Sequence, residues 1–520
     1  MKKMLYAMLC TAIMFAACSS SGKEDPDTPQ TGETPLMVSS VPADGATPVA
    51  ISSPFTISVT MDRNVYCPSA NKGKISVTAS DGTAATVSKI VANATTITLT
   101  VTGLVNGTTY TVSFPEGTIS GYDNNIAKAI SFSFTTEEEE TEATPVDNGN
   151  AAWTMMKKLG LGWNLGNQMD AFSNGVAGET IWGNPKATQA LFTKLKEYGF
   201  SSVRIPVTWL GHFGEAPDYT LETEWLERVA EIAGYAKTAG LNAIINTHHD
   251  ECNNDGHWLD VASAAKSAAK KAEIQDQIVK MWTQIANRFK NEGDWLIFEP
   301  FNELHDGGWG WSADFRANPT AQTDVINEWN QAFVDAVRAT GGNNATRWLG
   351  IAGYAASSTL TVQYIEVPED DHVMVGFHCY DPSDFCQKNT YQQWGHTAKT
   401  SKAPTGEAEA RMMLSRYYTK FVSKGIPVYM GEFGAVEKTD ESYRAYYLEY
   451  MAKAARTFGI PAFFWDNGVT GSTTGESFGL VNHGTGEYIG AGTTIVPVMV
   501  KGMTNTDSNY TLETVYNNAP

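Results

Sequence analysis

The sequence predicts a (β/α)8 TIM barrel of the α/β class, preceded by a small all-β sandwich domain. Two observations predict this architecture. From Ala151 onward, apolar strand-like segments alternate with amphipathic helical segments, which is typical of a parallel sheet covered by helices. Residues 36–136 consist instead of short segments with a period of two, which is typical of an antiparallel sandwich. A length of 520 residues is sufficient for two hydrophobic cores.

Residues 1–17 have the pattern of a signal peptide, because two lysines precede an apolar stretch that begins at Met4 and ends in small residues. The segment from Phe15 to Cys18 resembles a bacterial lipobox, which implies that Cys18 is the lipid-attachment residue. The alternative is a simple secretory peptide cleaved nearby. No later apolar run reaches the roughly 18 residues that span a bilayer, so a lipid is the only membrane anchor that we expect.

Residues 18–35 are rich in Ser, Thr, Pro and acidic residues and are predicted to form a flexible tether. Within them, Lys23-Glu24-Asp25 resembles the acidic signal that directs some bacterial lipoproteins to the outer cell surface. We therefore expect an outer-membrane lipoprotein that faces the cell exterior.

Residues 36–136 contain the turn signals Asp81-Gly82 and Asn106-Gly107 between strand-like segments. The opening segment, Val41 to Thr47, resembles the bacterial Ig-like domains that precede surface enzymes. The absence of clustered tryptophans favours a spacer over a carbohydrate-binding module. Residues 137–150 begin with a run of glutamates whose charges repel one another, and we interpret them as an acidic linker.

The predicted barrel domain occupies residues 151–520. Its predicted strands are Leu159–Leu165, Phe200–Pro206, Leu241–Thr247, Trp295–Glu299, Arg347–Ala352, Val373–His378, Pro427–Glu432 and Ile460–Trp465. Its predicted helices include Ala187–Tyr198, Glu224–Ala239, Glu273–Lys290, Thr323–Thr340, Glu407–Lys424 and Glu441–Phe458. A doubly wound open sheet is the alternative, but no glycine-rich phosphate loop follows the first strand, which disfavours a nucleotide-binding version.

Two predicted strands deliver a carboxylate to the end of the barrel where chemistry occurs in this fold. One is followed by Pro300 and the polar pair Asn302 and Glu303, and the other ends in Glu432. An isolated Asn-Glu pair would be interpreted as a strand-end cap, but two such carboxylates provide the groups for acid/base and nucleophilic chemistry. The other polar or aromatic residues at these ends are Asn164, Asn167, Arg204, His248, His249, His378, Tyr380 and Trp465.

The segment from Gly162 to Asn167 (Gly-Trp-Asn-Leu-Gly-Asn), together with these strand ends, resembles the endoglucanases of glycoside hydrolase family 5. The resemblance covers about residues 151 to 515. It implies a retaining mechanism with Glu303 as general acid/base and Glu432 as nucleophile. Such a mechanism requires Glu303 to begin protonated and Glu432 to begin ionised.

The resemblance also implies roles for the surrounding residues. Arg204 is the candidate to hold Glu432 in its charged form through paired hydrogen bonds. Tyr380 resembles the family tyrosine that donates to the nucleophile, and Asn302 resembles the asparagine that binds the sugar 2-hydroxyl. His378 is expected to hydrogen-bond within the acid/base network or to sugar.

Trp465 matches the family tryptophan that stacks beneath a sugar ring, with core packing as the alternative. Asn167 and Asp170 match positions near the distal sugar sites.

The segment His248-His249-Asp250-Glu251, with His257 nearby, invites a metal interpretation. Adjacent residues of an extended strand point to opposite faces, so we expect that the two histidines do not bind one ion, and we predict neither metal nor cofactor. The resemblance makes both histidines sugar-contacting or network residues, and which plays which part stays open.

Six further tryptophans fall in or near predicted loops on the same rim, where each serves either packing or sugar stacking: Trp182, Trp209, Trp258, Trp309, Trp311 and Trp394. The glycine-rich loop 307–311 is the best candidate for setting specificity. Among the few cysteines, Cys379 and Cys386 are close enough in sequence to pair, but the sequence does not establish a disulfide.

The formal net charge of −20 argues against nucleic acid and anionic membrane surfaces as partners and fits a neutral polysaccharide. We expect a monomeric endo-β-1,4-glucanase acting on cellulose-like, mixed-linkage or xyloglucan chains. The alternatives are a β-mannanase or another family 5 specificity, a surface glycan-binding lipoprotein that has lost activity, and an adhesin.

Overall fold

The structure, a computed structural model, describes residues 34–51, 53–138, 140–251, 257–471 and 476–520. The chain divides into two compact units between Thr141 and Glu142. The predicted signal peptide, Cys18 and nearly all of the predicted tether lie outside the described residues. Within the described ranges, no helix combines the length and apolar character that a bilayer crossing requires.

The first unit is a β-sandwich, as the sequence predicts. Its strands are β1 (Met37–Val41), β2 (Ala46–Val49), β3 (Phe55–Met61), β4 (Val65–Tyr66), β5 (Ser76–Ala79), β6 (Ala84–Asn93), β7 (Thr96–Thr102), β8 (Thr109–Phe114), β9 (Ser120–Gly121) and β10 (Ile130–Thr136). One sheet has the order β1-β3-β7-β6, and β6 continues into the other, which has the order β6-β5-β8-β10-β2. Alternate residues of the central strands face the core, as in β7, where Ile97, Leu99 and Val101 are buried.

The two predicted turn signals lie at turns of this sandwich. Gly82 lies between β5 and β6 with φ 89°, and Gly107 lies between β7 and β8 with φ 64°. Glycine adopts this left-handed region without steric strain, which explains its place at both turns. The amide of Thr83 also bonds the Asp81 carboxylate at 2.8 Å.

The second unit contains eight parallel strands that close into a barrel, which confirms the predicted fold class and excludes the open-sheet alternative. In barrel order the strands are β11 (Leu161–Leu165), β14 (Ser202–Ile205), β15 (Asn242–Asn246), β16 (Leu296–Glu299), β17 (Leu349–Ser357), β18 (Val373–Cys379), β19 (Val428–Phe433) and β20 (Ala462–Asp466). A two-stranded hairpin of β12 (Phe172–Ser173) and β13 (Val176–Ala177) follows β11.

Helices connect the strands. They are α1 (Ala151–Leu159), α2 (Gln189–Tyr198), α3 (Thr223–Ala239), α4 (Val261–Ala264), α5 (Ala268–Arg288), α6 (Ala313–Ala317), α7 (Thr320–Ala339), α8 (Leu360–Tyr364), α9 (Ser383–Cys386), α10 (Glu407–Lys420), α11 (Glu441–Thr457), α12 (Gly492–Thr504) and α13 (Leu512–Asn517). Each predicted strand and helix has a counterpart, with shifted ends. Helix α5 begins five residues before the predicted Glu273, because Ser267 accepts a hydrogen bond from the Lys270 amide and caps the helix there.

The barrel interior is filled by side chains from several strands, including Ile244, Ile297, Met374 and Phe463. Tyr429 of β19 lies among them and is fully buried. A larger apolar layer lies between the strands and the surrounding helices. The interior is therefore a packed core, which leaves the carboxyl ends of the strands as the place for a cleft.

The second half of the predicted acidic linker belongs to the barrel unit. The Glu142 carboxylate lies 2.9 Å from Arg411 Nε, and the Ala143 amide donates to Ser415 Oγ at 2.7 Å. Both partners lie on α10. Residues from Glu142 onward thus run along this helix.

Candidate active site

A cleft of about 430 Å³ lies at the carboxyl ends of the barrel strands. Eight of the residues predicted to form the site line it, and two others, Arg204 and His378, hydrogen-bond to lining residues. The lining residues are Asn167, Trp182, His248, His249, Asn302, Glu303, Tyr380, Gln387, Glu432, Trp465, Glu476 and Phe478.

Glu432 lies near the end of β19 and accepts hydrogen bonds from two side chains. Arg204 Nη1 donates to Oε1 at 2.7 Å, and the Tyr380 hydroxyl donates to Oε2 at 2.8 Å. Both carboxylate oxygens therefore have fixed positions, and both donors favour the ionised form.

Glu303 follows β16 and has a different environment. His378 Nδ1 lies 2.7 Å from its Oε1, and the same nitrogen lies 3.7 Å from Glu432 Oε2. One carboxylate oxygen of Glu303, one of Glu432 and a ring nitrogen of His378 all lie within 4.8 Å of one another. The structure thus brings the two predicted carboxylates together from opposite parts of the barrel.

Arg204 is fully buried and organises the base of the cleft. Besides Glu432, its guanidinium donates to Asn302 Oδ1 at 2.8 Å and to Asn164 Oδ1 at 3.1 Å. The contact with Asn302 directs the amide nitrogen of that residue away from the guanidinium.

The paired hydrogen bonds that we expected between Arg204 and Glu432 are formed with another residue. Arg204 Nη2 lies 2.6 Å from Glu299 Oε1, and Nε lies 3.1 Å from the same oxygen, whereas Glu432 receives a single bond from this side chain. Glu299 ends β16, which β15 separates from β14 in the barrel, and its carboxylate occupies the Nε and Nη2 side of the guanidinium.

The pKa of Glu303 is raised to about 8. Burial is the main cause, and the nearby charge of Glu251 adds to it, while His249 and Arg204 oppose it. This residue therefore holds its proton at neutral pH, as an acid must.

Burial also raises the pKa of Glu432, although His378, Arg204 and Tyr380 oppose this effect. The direction differs from the lowering that we expected from Arg204 alone, because the desolvation of a buried carboxylate outweighs its partners. The pKa of His378 is lowered to about 4, chiefly by burial, so that the ring between the two carboxylates is neutral at neutral pH.

Comparison with known proteins agrees with this geometry. Residues 166–471 match the model of cellulases of glycosyl hydrolase family 5, and residues 32–136 match that of a bacterial Ig-like domain. The chain belongs to glycoside hydrolase family 5. It is therefore a glycoside hydrolase with an N-terminal Ig-like domain.

Individual relatives include Endoglucanase B of Clostridium cellulovorans, which is 40% identical over 63% of this chain and 71% of that protein. A solved broad-specificity endoglucanase of subfamily 4 from Bacteroides salanitronis is 49% identical, with a TM-score of 0.67, over 71% of this chain and 100% of that one. A solved family 5 xyloglucanase from Paenibacillus pabuli is 36% identical, with a TM-score of 0.62, over 67% of this chain and 100% of that one.

The two adjacent histidines of this family 5 enzyme do not diverge as we expected. Strand β15 ends at Asn246, so His248 and His249 lie beyond the extended backbone, and their ring centroids are 4.4 Å apart. With Asp170, they bring ligand-type atoms within 4.8 Å of one another. The two histidines therefore do not lie on opposite faces of a strand, and the expectation that they diverge is wrong.

The tautomer of His248 nevertheless opposes metal binding by this trio. Asn246 Oδ1 accepts from the Val207 amide at 3.0 Å, so its Nδ2 faces His248 Nδ1 at 3.2 Å. The ring nitrogen Nδ1 must then accept, and the proton lies on Nε2. Burial holds the pKa of His248 well below its usual value, so the ring is neutral and offers an N–H donor, not a lone pair, at Nε2.

His249, in contrast to His248, is cationic at neutral pH. Burial favours its neutral ring, but Glu251 at 3.3 Å and Asp170 at 3.8 Å outweigh this effect and raise its pKa to about 9. The enzyme thus places a neutral and a cationic imidazole side by side on one wall of the cleft.

The tryptophans predicted at the rim differ in their surroundings. Trp465 lines the cleft parallel to the His248 ring at 5.8 Å, and Trp182, which is 40% exposed, also lines it. Two predicted rim tryptophans, Trp209 and Trp394, are buried in the apolar layer instead and serve packing. Trp258 is partly buried, and its indole N–H donates to Asp250.

Sequence reasoning missed several residues of this site. Glu299 is one of them, although an acid at the end of the apolar run Leu296-Ile297-Phe298 was a usable signal. Gln387, Glu476 and Phe478 come from loops whose course no local pattern specifies. The cysteines Cys379 and Cys386, whose pairing was left open, are both free.

The pKa of Glu303 generates a prediction about pH. If Glu303 is the acid, kcat/KM should fall as the pH rises through about 8, because the required proton is lost there. Glu303→Gln should abolish this basic limb when glycosylation is followed with an activated aryl glycoside, whereas natural glucans should be slowed severely. An unchanged basic limb in that variant would contradict the assignment.

Proposed function

We propose that the protein is a retaining endo-β-1,4-glucanase that uses Glu432 as nucleophile and Glu303 as general acid/base. The observation that carries this proposal is the close approach of the two carboxylates, within 4.8 Å at their nearest ligand-type atoms. Retaining glycosidases hold their carboxyl groups about 5–5.5 Å apart, whereas inverting enzymes need about 6.5–9.5 Å to admit a water.

The partners of each carboxylate support the division of roles. In the first step Glu432 attacks the anomeric carbon while Glu303 protonates the departing oxygen, and in the second step Glu303 deprotonates the water that releases the sugar. Arg204 and Tyr380 hold Glu432 in position for attack. His378, neutral at neutral pH, contacts Glu303 and accommodates both of its protonation states.

Other cleft residues are proposed to bind sugar. Asn302, oriented by Arg204, is placed to meet the 2-hydroxyl, and His248 offers its Nε2 proton. Trp465 supplies an aromatic face for stacking. Asn167 and His249 complete the walls of the cleft toward more distant sugars.

The substrate that we propose is a β-1,4-linked glucan backbone, including substituted and mixed-linkage chains. Relatives named as a broad-specificity endoglucanase and as a xyloglucanase support this range. A β-mannanase remains the nearest alternative, because recognition of one hydroxyl depends on loop residues. A set of β-glucan, xyloglucan and β-mannan substrates with product sizing distinguishes the two, and no sugar release from any of them would indicate a glycan-binding protein.

Glu432→Ala should abolish turnover, because no nucleophile remains to form the covalent intermediate. Azide should partly restore activity on an activated aryl glycoside and give a product of inverted anomeric configuration, which NMR identifies. Thermal unfolding and glucan binding should stay close to those of the wild type. Near-normal activity without azide would show that Glu432 is not the nucleophile.

We further propose that the loop after Glu303 binds the leaving-group end of the glucan. Trp309 and Trp311 are 51% and 77% exposed, and both lie in this loop. Since Glu303 protonates the leaving oxygen, the sugars on its side belong to the leaving group. Trp465 lies on β20, across the closed barrel from β16, and Asn167 follows β11, the neighbour of β20. Both residues therefore lie on the other side of the barrel mouth from the loop after Glu303.

A partly buried hydrogen-bond network holds this loop. The Asp306 carboxylate accepts from the Tyr354 hydroxyl at 2.7 Å, from Ser312 Oγ at 2.5 Å and from the Gly308 amide at 2.9 Å. Trp309 has φ 51°, an unfavourable value for a bulky residue that costs about 1–3 kcal/mol. A strained, exposed indole on a fixed loop is consistent with a binding function.

Trp309→Ala and Trp311→Ala should each raise KM for long glucans by about tenfold, the equivalent of one lost stacking contact of about 1.4 kcal/mol. Their kcat/KM on a short aryl glycoside should stay nearly unchanged, because its leaving group does not reach the loop. Tyr122→Ala removes an exposed aromatic side chain from the Ig-like domain and serves as the control. Equal effects on short and long substrates, or an equal effect of the control, would contradict the loop assignment.

We also propose that the mature protein is an outer-membrane lipoprotein anchored at Cys18, on the basis of the lipobox-like segment. Cys18→Ala should prevent lipid attachment and release the protein from membranes, with an unchanged catalytic rate in the soluble fraction. Fractionation after expression in a lipoprotein-processing host measures this. Retention of the variant in membranes after a high-salt wash would refute the lipid anchor.

A further inference from the structure

Glu299 is a buried acid that takes no part in the chemistry proposed above. It is 2% exposed, ends β16 and does not line the cleft. Burial raises its pKa, but the charge and hydrogen bonds of Arg204, together with Tyr429, outweigh this effect, so the pKa lies below its ordinary value. Glu299 therefore carries a full negative charge, in addition to that of Glu432, beneath the catalytic pair.

The contacts of Arg204 show how this charge reaches the cleft. One guanidinium serves two carboxylates, with Glu299 Oε1 at 2.6 Å from Nη2 and Glu432 Oε1 at 2.7 Å from Nη1. Each carboxylate therefore limits how much positive charge the other experiences.

Glu299 is also held from the side away from Arg204. The Tyr429 hydroxyl donates to its Oε2 at 2.6 Å, and Asn246 Nδ2 donates to its Oε1 at 2.9 Å. A Cβ atom at Gly350 of β17 or at Gly376 of β18 would collide with the Tyr429 ring or hydroxyl. The two glycines therefore leave the space that the Tyr429 side chain occupies. The same Asn246 amide fixes the tautomer of His248.

We propose that Glu299 is a positioning residue that divides the charge of Arg204 and so sets how strongly Arg204 holds the nucleophile Glu432. The inference rests on the proposed roles of Glu303 and Glu432. The charged or titratable groups that face Glu299 or interact with it across the barrel mouth are Arg204, Tyr429, Glu432, His378 and Glu303.

The consequence of removing the charge follows from its sign. In Glu299→Gln, Arg204 is no longer shared with a second carboxylate, so the ionised form of Glu432 becomes more favourable and its pKa falls. The pKa of Glu303 falls as well, since the charge of Glu299 is one of the groups that raise it. Both limbs of the kcat/KM profile should therefore move to lower pH, by about one to two units for charges sharing one guanidinium.

Tyr429→Phe provides a variant with the opposite expectation. It keeps the charge of Glu299 but removes one hydrogen bond from it, so the carboxylate competes more strongly for Arg204. The acidic limb, which reports Glu432, should then move slightly to higher pH. If Glu299 served only packing, both variants would lower activity or stability, but the acidic limb would not move in opposite directions in the two.

The experiment measures kcat/KM against pH on an activated aryl glycoside for the full-length wild type and each variant. Asp370→Asn is the matched control, because it breaks another two-point pair, Asp370 with Arg338 at 2.7 and 2.9 Å, that precedes β18 at the opposite end of the barrel. It should lower the thermal unfolding temperature without moving either limb.

Movement of the limbs in Glu299→Gln as predicted supports the proposal. Unmoved limbs in a folded Glu299→Gln overturn it, even if kcat falls, while the proposed function stands. If Glu299→Gln does not fold, an acidic limb of Tyr429→Phe that is unmoved or moves to lower pH overturns it. Absence of glucan hydrolysis by the wild type would instead refute the proposed function.

Discussion

The buried guanidinium of Arg204 is the group on which the catalytic end of the barrel depends. It is fully excluded from solvent and contacts side chains from β11, β16 and β19, together with Asn302 just beyond β16. A buried cation is stable only when its charge is compensated and its donors are satisfied. The positions of one acid, two amides and the proposed nucleophile are therefore determined together by the donor geometry of a single side chain.

Closure of the barrel makes this arrangement possible. Glu303 and Glu432 are far apart in sequence, yet β16 and β19 deliver them to one mouth, where His378 contacts the first at 2.7 Å and the second at 3.7 Å. Their environments differ: Glu432 receives a cationic and a phenolic donor, whereas Glu303 meets a neutral imidazole. Two identical side chains thus acquire different proton affinities from the strands that carry them.

Much of this organisation could be predicted from the sequence. Apolar periodicity located all eight strands, and their ends identified Glu303, Glu432 and their direct partners. This was possible because the carboxyl ends of the strands of a parallel barrel meet at one face. Contacts between strands were less accessible. The pairing of Arg204 with Glu299, and the turn that brings His248 beside His249, depend on register and on where β15 stops, and neither is encoded in any local pattern.

The space around Tyr429 constrains how the barrel can change. Its hydroxyl reaches Glu299 only because β17 and β18 carry glycine at positions 350 and 376, where any side chain would occupy the volume of the ring. A larger residue at either glycine would be tolerated only after Tyr429 had become smaller, and a smaller residue at 429 would leave an interior void until a glycine was replaced. Positions on three strands are thus mutationally coupled, so that divergence of this barrel must proceed through compensating substitutions.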